Sequence, residues 1–187
     1  GMPAVSDPGE LLVTDALAEG IPVVPVPAAS AAVTALAVSG QSTGRFCFEG
    51  FLPMNHRQRR ERLAETSTER RTLIFYEAPH KLTSTLADLL AAFGDRSVTI
   101  CRELTKLHEQ IWKTTLSQAL DFYTQNTPKG EFVLVVAGAP DLQPDEEWTL
   151  EGAVALAQQK IQEGASASAA CREAASASGF AKSEIYR

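Results

Sequence analysis

Short apolar runs alternate with longer amphipathic segments through the middle of the chain. The runs are rich in β-branched residues, as strands are, and the longer segments have the apolar spacing of helices. The predicted strands are residues 72–76, 97–102, 109–115 and 131–137, and the predicted helices between them are residues 79–93 and 116–124. Residues 109–115 and 131–137 are predicted to pair with each other in antiparallel fashion. Phe132–Val136 is apolar at every position, which indicates a buried central strand. The alternation of strands and helices predicts an α/β fold.

The first part of the chain has a different texture, with loops and small residues. Residues 1–9 contain prolines and glycines typical of a loop, so we expect the chain either to start just before an initiating methionine or to be cut inside a domain. The elements predicted after this loop are a helix at 10–18, a proline-containing edge strand at 21–26, a strand-to-helix turn followed by a small-residue helix within 27–37, and a strand at 46–48. The small-residue helix either packs on a sheet or lets a ligand approach its first turn.

The end of the chain is predicted to be a separate helical module. Residues 140–148 are rich in proline and acidic residues, which is typical of a linker. Thr149 can cap a helix that runs to about Glu163, and Ser166 can cap a second helix through Ala177. A third helix is predicted to start at Lys182, giving a helix-turn-helix-like arrangement. Basic and acidic residues balance in this module, which favours a structural or RNA-accessory role over DNA reading.

Composition places the chain among ordinary globular proteins. It has 187 residues, 44% of them hydrophobic and 21% charged, with a formal net charge of −6. No apolar run approaches the ~20 residues that span a bilayer, so we expect no membrane association. The three cysteines are far apart, which predicts neither a disulfide framework nor a metal site. We therefore expect a cytoplasmic protein without a bound metal.

One segment is basic although the whole chain is acidic. Residues 57–71 contain six arginines and only three glutamates. Such a segment is either a solvated helix face or a surface that contacts phosphates, and the sequence leaves both interpretations open.

Charged residues follow two predicted strands, where α/β proteins bind their ligands. Glu77 ends the first strand, and it can act as a base, bind a ligand hydroxyl, or interact with the following helix. Arg102, Glu103 and Lys106 end the second strand as either an ion-pair cluster or a phosphate site in which Lys106 activates a hydroxyl. Nucleophile-elbow, Walker, zinc and dinucleotide motifs do not occur, which disfavours hydride transfer, phosphoryl transfer and metal hydrolysis.

Five motifs, in order, resemble those of the tetrapyrrole methylase family, and in particular its branch that methylates the ribose 2′-hydroxyl of a cytidine in 16S ribosomal RNA. The resemblance covers nearly the whole chain, including the C-terminal module. The motifs are GMPAVSDPG at 1–9, RFCFEGFLP at 45–53, FYEAPHK at 75–81, RELTK at 102–106 and KGE at 129–131.

The resemblance implies a two-domain α/β fold with S-adenosylmethionine bound between the domains, usually in a homodimer. On this basis residues 1–43 correspond to the end of an incomplete first domain, 44–139 to the second domain, 140–148 to a linker and 149–187 to an incomplete helical module. The implied cofactor-binding residues are Gly1, Met2, Val5, Ser30, Ala31, Glu77 and Leu104. The loop at residues 27–31 departs from the family pattern, since alanines stand where a glycine and a proline are usual.

The function implied is S-adenosylmethionine-dependent 2′-O-methylation of 16S ribosomal RNA in the small ribosomal subunit. Glu77 and Lys106 are the candidate catalytic residues. The candidate RNA contacts are Arg57, Arg59, Arg60, Arg62 and Arg102. Two alternatives stay open, namely methylation of a porphyrin or corrin precursor and a non-catalytic RNA-binding role. Since the first domain is expected to be incomplete, the chain could also bind its cofactor poorly.

Overall fold

The computed structural model describes residues 1–140 and 149–186. The chain divides into two compact units, residues 1–139 and 140–187, and each is described separately below. The further division predicted at residue 43 stays a prediction, and most of the predicted linker at 140–148 lies outside the described residues.

A five-stranded mixed sheet organises the first unit, in agreement with the predicted α/β class. Its strands are β1 (Phe46–Gly50), β2 (Thr72–Glu77), β3 (Ser97–Arg102), β4 (Gln110–Thr115) and β5 (Phe132–Val136). The strand order is β1-β2-β5-β3-β4. β1 and β2 are parallel, whereas β5 runs antiparallel to both of its neighbours and β4 runs antiparallel to β3. The carboxyl ends of β1, β2 and β3 and the start of β5 therefore share one edge of the sheet.

Helices cover both faces of this sheet because the buried strands are apolar on both sides. The helices of the first unit are α1 (Glu10–Ala18), α2 (Ala31–Val38), α3 (His56–Thr66), α4 (Leu82–Phe93) and α5 (Leu116–Gln125). Leu73 and Phe75 point towards the core formed with α3, α4 and α5. Ile74 and Tyr76, the alternate residues of β2, face the smaller cluster formed with α2. All five residues of β5 are buried, which confirms the predicted central strand.

Three details of the predicted elements are wrong. Residues 109–115 and 131–137 do not pair, because β3 lies between the strands that they contain. Residues 21–26 form no strand, in keeping with prolines that remove ladder N–H donors. The predicted helix from residue 79 begins instead as a 3₁₀ turn, Pro79–Lys81, before α4.

Three helices form the described part of the second unit, residues 149–186, as the sequence predicts. They are α6 (Leu150–Gln162), α7 (Ala167–Ser178) and α8 (Lys182–Ile185). Both predicted caps are present, since the hydroxyls of Thr149 and Ser166 accept hydrogen bonds from the N–H groups of Gly152 and Ala169 at 3.1 and 3.3 Å. A small core of alanines, Cys171 and Ile185 holds the helices together.

Candidate functional site

A cavity of about 480 Å³ lies at the edge where β1 and β2 end and β5 begins. We call it the strand-end cavity. Its walls come from five segments of the first unit, which the topology brings to one edge of the sheet. The lining residues are Ser6, Ala31, Phe51, 76–79 and 131–133. Its volume lies within the range of roughly 300–1,000 Å³ that is usual for small-molecule sites.

Tyr76 forms the aromatic wall of the cavity and fixes the start of α2. Its hydroxyl accepts a hydrogen bond of 3.0 Å from the N–H of Ala32, one of the N–H groups that have no partner inside the helix. Its ring packs edge-on against Phe48 and Phe51, with centroid distances of 5.0 and 5.7 Å. The side chain of Ser30 makes no cap contact with α2. Tyr76 therefore holds the small-residue helix against the sheet, a role that the sequence analysis missed.

Glu77 is nearly enclosed, with 4% of its surface exposed. One carboxylate oxygen accepts a hydrogen bond of 2.8 Å from the N–H of Ala78. The other accepts a hydrogen bond of 2.5 Å from the hydroxyl of Thr85, which is fully buried in α4. Both oxygens are thus engaged within the protein, and the side chain fixes residues 77–81, which we call the first rim loop.

Arg59 extends this hydrogen-bonded chain to α3. Its guanidinium donates to the hydroxyl of Thr85 at 2.8 Å and to the carboxylate of Asp88 at 2.6 Å. Because a guanidinium can only donate, the Thr85 hydroxyl accepts the hydrogen bond from Arg59. The same hydroxyl donates its hydrogen bond to the Glu77 carboxylate. Only 13% of the Arg59 side chain is exposed. Arg59 therefore joins α3 to α4 and is linked to the first rim loop through Thr85. The sequence did not indicate this role, because Arg59 lies among other arginines.

The second rim loop, residues 103–109, is held by exposed charges. The Lys106 ammonium lies 3.0 Å from a Glu103 oxygen and 2.9 Å from a Glu131 oxygen. Hydrogen bonds to Glu131 and Glu103 raise the pKa of Lys106. The backbone N–H of Glu131 and the nearby Lys106 lower the pKa of Glu103. This pair is therefore charged at neutral pH.

The backbone of the second rim loop is strained. Glu103 and Thr105 have φ values of 50° and 63°, in the left-handed region that side chains rarely adopt. Gly130 makes the arrangement possible, because a Cβ atom there would lie 2.5 Å from Cγ of Glu103. Leu104 is half-buried and packs on the cluster around α2. The Arg102 guanidinium donates to the carbonyl of Lys129 at 2.5 Å, which ties the end of β3 to the turn before β5.

The predicted cofactor residues are only partly brought together. Ala31 and Glu77 line the strand-end cavity, whereas its described lining does not include Gly1, Met2, Val5, Ser30 or Leu104. Ser6, next to the predicted loop residues, lines the cavity. Gly50 permits this approach, since a Cβ atom there would lie 2.7 Å from the Ser6 hydroxyl. In the sequence, the glycine that ends the strand-like segment at residue 50 was the feature from which this contact could have been predicted.

The arginines of α3 divide between two faces. Arg59 faces inward, and Arg62 pairs with Glu49 at 2.7 Å and with Glu65 at 3.2 Å. Arg57 is highly exposed and pairs with Glu61 one turn later at 2.8 Å. Arg60 is also exposed. Arg57 and Arg60 are thus the outward-facing arginines of this helix.

Among residues 1–140 and 149–186, no cluster of three or more histidines, cysteines or acidic residues has the spacing to hold a metal ion. Within the same residues, every helix is too short or too polar to cross a bilayer.

Similarity to known proteins covers most of the chain. Residues 1–120 match the family described as Tetrapyrrole (Corrin/Porphyrin) Methylases. The chain is 52% identical over 149 residues to the Ribosomal RNA small subunit methyltransferase I of Halalkalibacterium halodurans, an alignment that covers 79% of this chain and 52% of the relative. The chain spans about half the length of the curated relatives it matches.

Solved structures share the fold at low sequence identity. The methyltransferase CobJ has a TM-score of 0.57 at 22% identity, over 74% of this chain and 62% of CobJ. The uroporphyrin-III C-methyl transferase of Thermus thermophilus, complexed with S-adenyl homocysteine, has a TM-score of 0.50 at 17% identity, over 72% of this chain and 62% of that enzyme. At these identities the likeness concerns the fold.

Proposed function

Because this chain belongs to the tetrapyrrole (corrin/porphyrin) methylase family, we propose that its activity is S-adenosylmethionine-dependent methylation of small-subunit ribosomal RNA. The observation that carries the proposal is the strand-end cavity, formed where β1 and β2 of the family-matched segment end next to the start of β5. The substrate class follows the name of the H. halodurans relative. The finer assignment, a cytidine 2′-hydroxyl in 16S ribosomal RNA, is part of the same proposal.

The strand-end cavity suits S-adenosylmethionine in size and chemistry. Phe51 and Tyr76 offer aromatic surface, while Ser6 and Glu131 offer polar groups. Ser6 lies close to Gly50 and forms part of one wall of the cavity. A side chain at residue 50 would collide with the Ser6 hydroxyl and prevent this contact. When bound, the cofactor supplies an electrophilic methyl group on sulfur. The protein's own task is then to align the ribose hydroxyl with that methyl group and to exclude water.

We assign Glu77 and Lys106 roles in positioning and electrostatics. The Glu77 carboxylate is committed to Ala78 and Thr85, so it shapes the first rim loop. Lys106 keeps its proton at neutral pH because its carboxylate partners raise its pKa. A protonated lysine beside the cavity can stabilise the negative charge that develops on an attacking hydroxyl. Ala31 and the nearby N-terminal residues Gly1, Met2, Val5 and Ser30 remain proposed cofactor contacts, as does Leu104.

Methylation of a porphyrin or corrin precursor is the second candidate. The fold likeness to CobJ favours it. The outward-facing arginines Arg57 and Arg60 favour a polyanionic substrate instead, because cations arrayed along a helix suit a chain of phosphates. A homodimer is a further proposal that sedimentation velocity can test.

Two measurements test the proposed function. Calorimetry should detect binding of S-adenosylmethionine to this chain, and Phe51→Ala should weaken that binding because its ring lines the cavity. Phe46→Ala is the matched control at the other end of β1, and we expect it to leave binding unchanged. Transfer of radiolabelled methyl groups should favour 30S subunits over uroporphyrinogen. Binding of 30S subunits without any binding of S-adenosylmethionine would support the non-catalytic alternative.

A further inference from the structure

A second cavity, of about 290 Å³, lies beside the strand-end cavity. We call it the basic groove. Its lining includes Met54 and His56 at the start of α3, together with Lys81 and Ser84 at the start of α4. Small-molecule sites usually exceed roughly 300 Å³, so this groove suits one group of a larger ligand. We propose that the basic groove binds a backbone phosphate of the RNA substrate, an inference that rests on the proposed function.

The basic groove adjoins the strand-end cavity through two shared loops. In the loop after β1, Phe51 lines the cavity and Met54 lines the groove. In the first rim loop, Pro79 lines the cavity and Lys81 lines the groove. A polynucleotide whose reacting ribose lies at the cavity must pass its neighbouring phosphates over the adjacent surface. Because the two loops are shared, the basic groove is the surface next to the cavity over which those phosphates would pass.

The charge of the groove is positive after internal pairs are taken into account. Asp88 is its acidic lining residue, and it is neutralised by Arg59 at 2.6 Å. Within the described parts of the chain, the Lys81 ammonium contacts the sulfur of Met54 and has no carboxylate partner. Among residues 1–140 and 149–186, His56 and Ser84 form no hydrogen bond with an acidic side chain, and the Ser84 hydroxyl donates to the carbonyl of Lys81 at 2.8 Å. The groove therefore offers a lysine charge whose natural partner is an anion.

Side chains, rather than the helix end, would hold this anion. The carboxamide oxygen of Asn55 already accepts the N–H groups of Arg57 and Gln58 at 2.9 and 3.2 Å. These bonds satisfy two of the first-turn donors that an anion would otherwise use. Binding should consequently depend on Lys81 and His56 and should be sensitive to their replacement.

The surroundings favour a phosphodiester over the carboxylates of a tetrapyrrole. Beyond the groove, Arg60 and Arg57 lie on the exposed side of α3. Arg57 pairs with Glu61 at 2.8 Å, and because exposed pairs of this kind are weak in water, a phosphate can compete for its guanidinium. A linear series of cations matches the regular charges of a polynucleotide backbone, whereas the carboxylates of a macrocycle are arranged around a ring.

Salt-dependent RNA binding tests this inference. The probe is a fluorescently labelled single-stranded oligoribonucleotide, titrated with the chain and with its Lys81→Gln, Lys81→Arg and His56→Gln variants at several salt concentrations. Loss of one phosphate contact should lower the slope of log K against log salt by about 0.7 and weaken binding about 3- to 10-fold at low salt. Lys81→Arg should restore both values. Lys113→Gln on β4 is the matched control and should bind as the wild type does.

The outcomes separate this inference from the proposed function. Equal affinity and equal slope for the wild type and Lys81→Gln would overturn the inference while leaving methyl transfer untouched. A wild-type chain that binds S-adenosylmethionine and uroporphyrinogen but no RNA would overturn both the groove and the RNA substrate. A reduced slope for Lys81→Gln would support the groove even if no methyl transfer were detected.

Discussion

The two rim loops lie at the same edge of the sheet but are stabilised in opposite ways. The first rim loop rests on Glu77, whose carboxylate is buried and bound by Thr85 and Ala78. The second rests on Lys106, whose side chain is 48% exposed and whose ammonium lies between two carboxylates. Buried hydrogen bonds resist salt and fix one geometry, whereas exposed ion pairs are screened and weak.

This difference suggests a division of labour at the candidate site. The first rim loop acts as a fixed wall, because its conformation depends on three elements of the core. The second rim loop, with its strained residues Glu103 and Thr105, is the wall that can adjust to a substrate. The experiments that follow test this contrast.

Thr85→Val should have the largest effect. The variant keeps the shape of the side chain but removes one hydrogen bond from the buried Glu77 carboxylate, which keeps its bond from Ala78, and one from the Arg59 guanidinium, which keeps its bond to Asp88. We expect the free energy of unfolding to fall by about 2–4 kcal/mol, independently of salt. Urea unfolding measures this value. Thr83→Val, which removes a longer bond of 3.4 Å to the Tyr123 carbonyl, is the control and should cost less than about 1 kcal/mol. If the two variants lost the same free energy of unfolding, the idea that buried hydrogen bonds fix the first rim loop would be refuted.

Gly130→Ala should have the next largest effect. The new methyl group would collide with Glu103, and the φ value of 91° adds backbone strain. We expect a loss of about 1–3 kcal/mol in the free energy of unfolding, together with displacement of the second rim loop. Gly20→Ala is the control, because its φ value is 70° but no atom lies within 4 Å of the added Cβ. If both variants lost the same free energy of unfolding, the positive φ value alone would explain the loss, and the collision with Glu103 would contribute nothing.

Lys106→Met should have a smaller effect that depends on salt. Removing the ammonium leaves Glu103 and Glu131 near each other without a cation, and this repulsion is screened by added ions. The melting temperature should therefore fall in dilute buffer and return towards the wild-type value in 1 M salt, where the Debye length is roughly 3 Å. A loss that persisted unchanged at high salt would mean that the second loop is held by packing.

The pH dependence of Glu103 should give the smallest effect. The backbone N–H of Glu131 and the Lys106 ammonium hold its pKa below the usual value of 4.5. Because its folded-state pKa is lowered, its contribution to stability is present above pH 4.5 and disappears as the pH falls through the folded-state value. The difference in melting temperature between the wild type and Glu103→Gln should shrink accordingly between pH 6 and pH 3. A constant difference would show that the charge is unimportant.

The sequence predicts which residues form strands better than it predicts which strands pair. Phe132–Val136 is apolar throughout, so its burial could be read directly. Its neighbours could not, because periodicity identifies a buried strand but contains no information about its partners. The prediction that residues 131–137 pair with 109–115 failed for this reason, since β3 lies between them.

Individual roles within the candidate site were also only partly predictable. The location of Glu77 at a strand end pointed to the edge of the sheet where the strand-end cavity lies. The commitment of its carboxylate to Thr85 depends on how α4 packs, and the inward orientation of Arg59 depends on Asp88 in the same helix. The spacing of arginines along α3 does not show which of them is buried and which is exposed, because the sequence does not show which elements pack against this helix.

The position of β5 has a consequence for how the protein is made. The middle strand of the sheet is the last one in the chain, and its Val136 pairs with Leu73, which is synthesised far earlier. During translation the β1–β2 pair and the β3–β4 hairpin can form first, but each keeps an open edge until β5 emerges from the ribosome. Closing the sheet therefore requires a late, long-range step, which slows folding and makes the nascent chain dependent on protection of those edges.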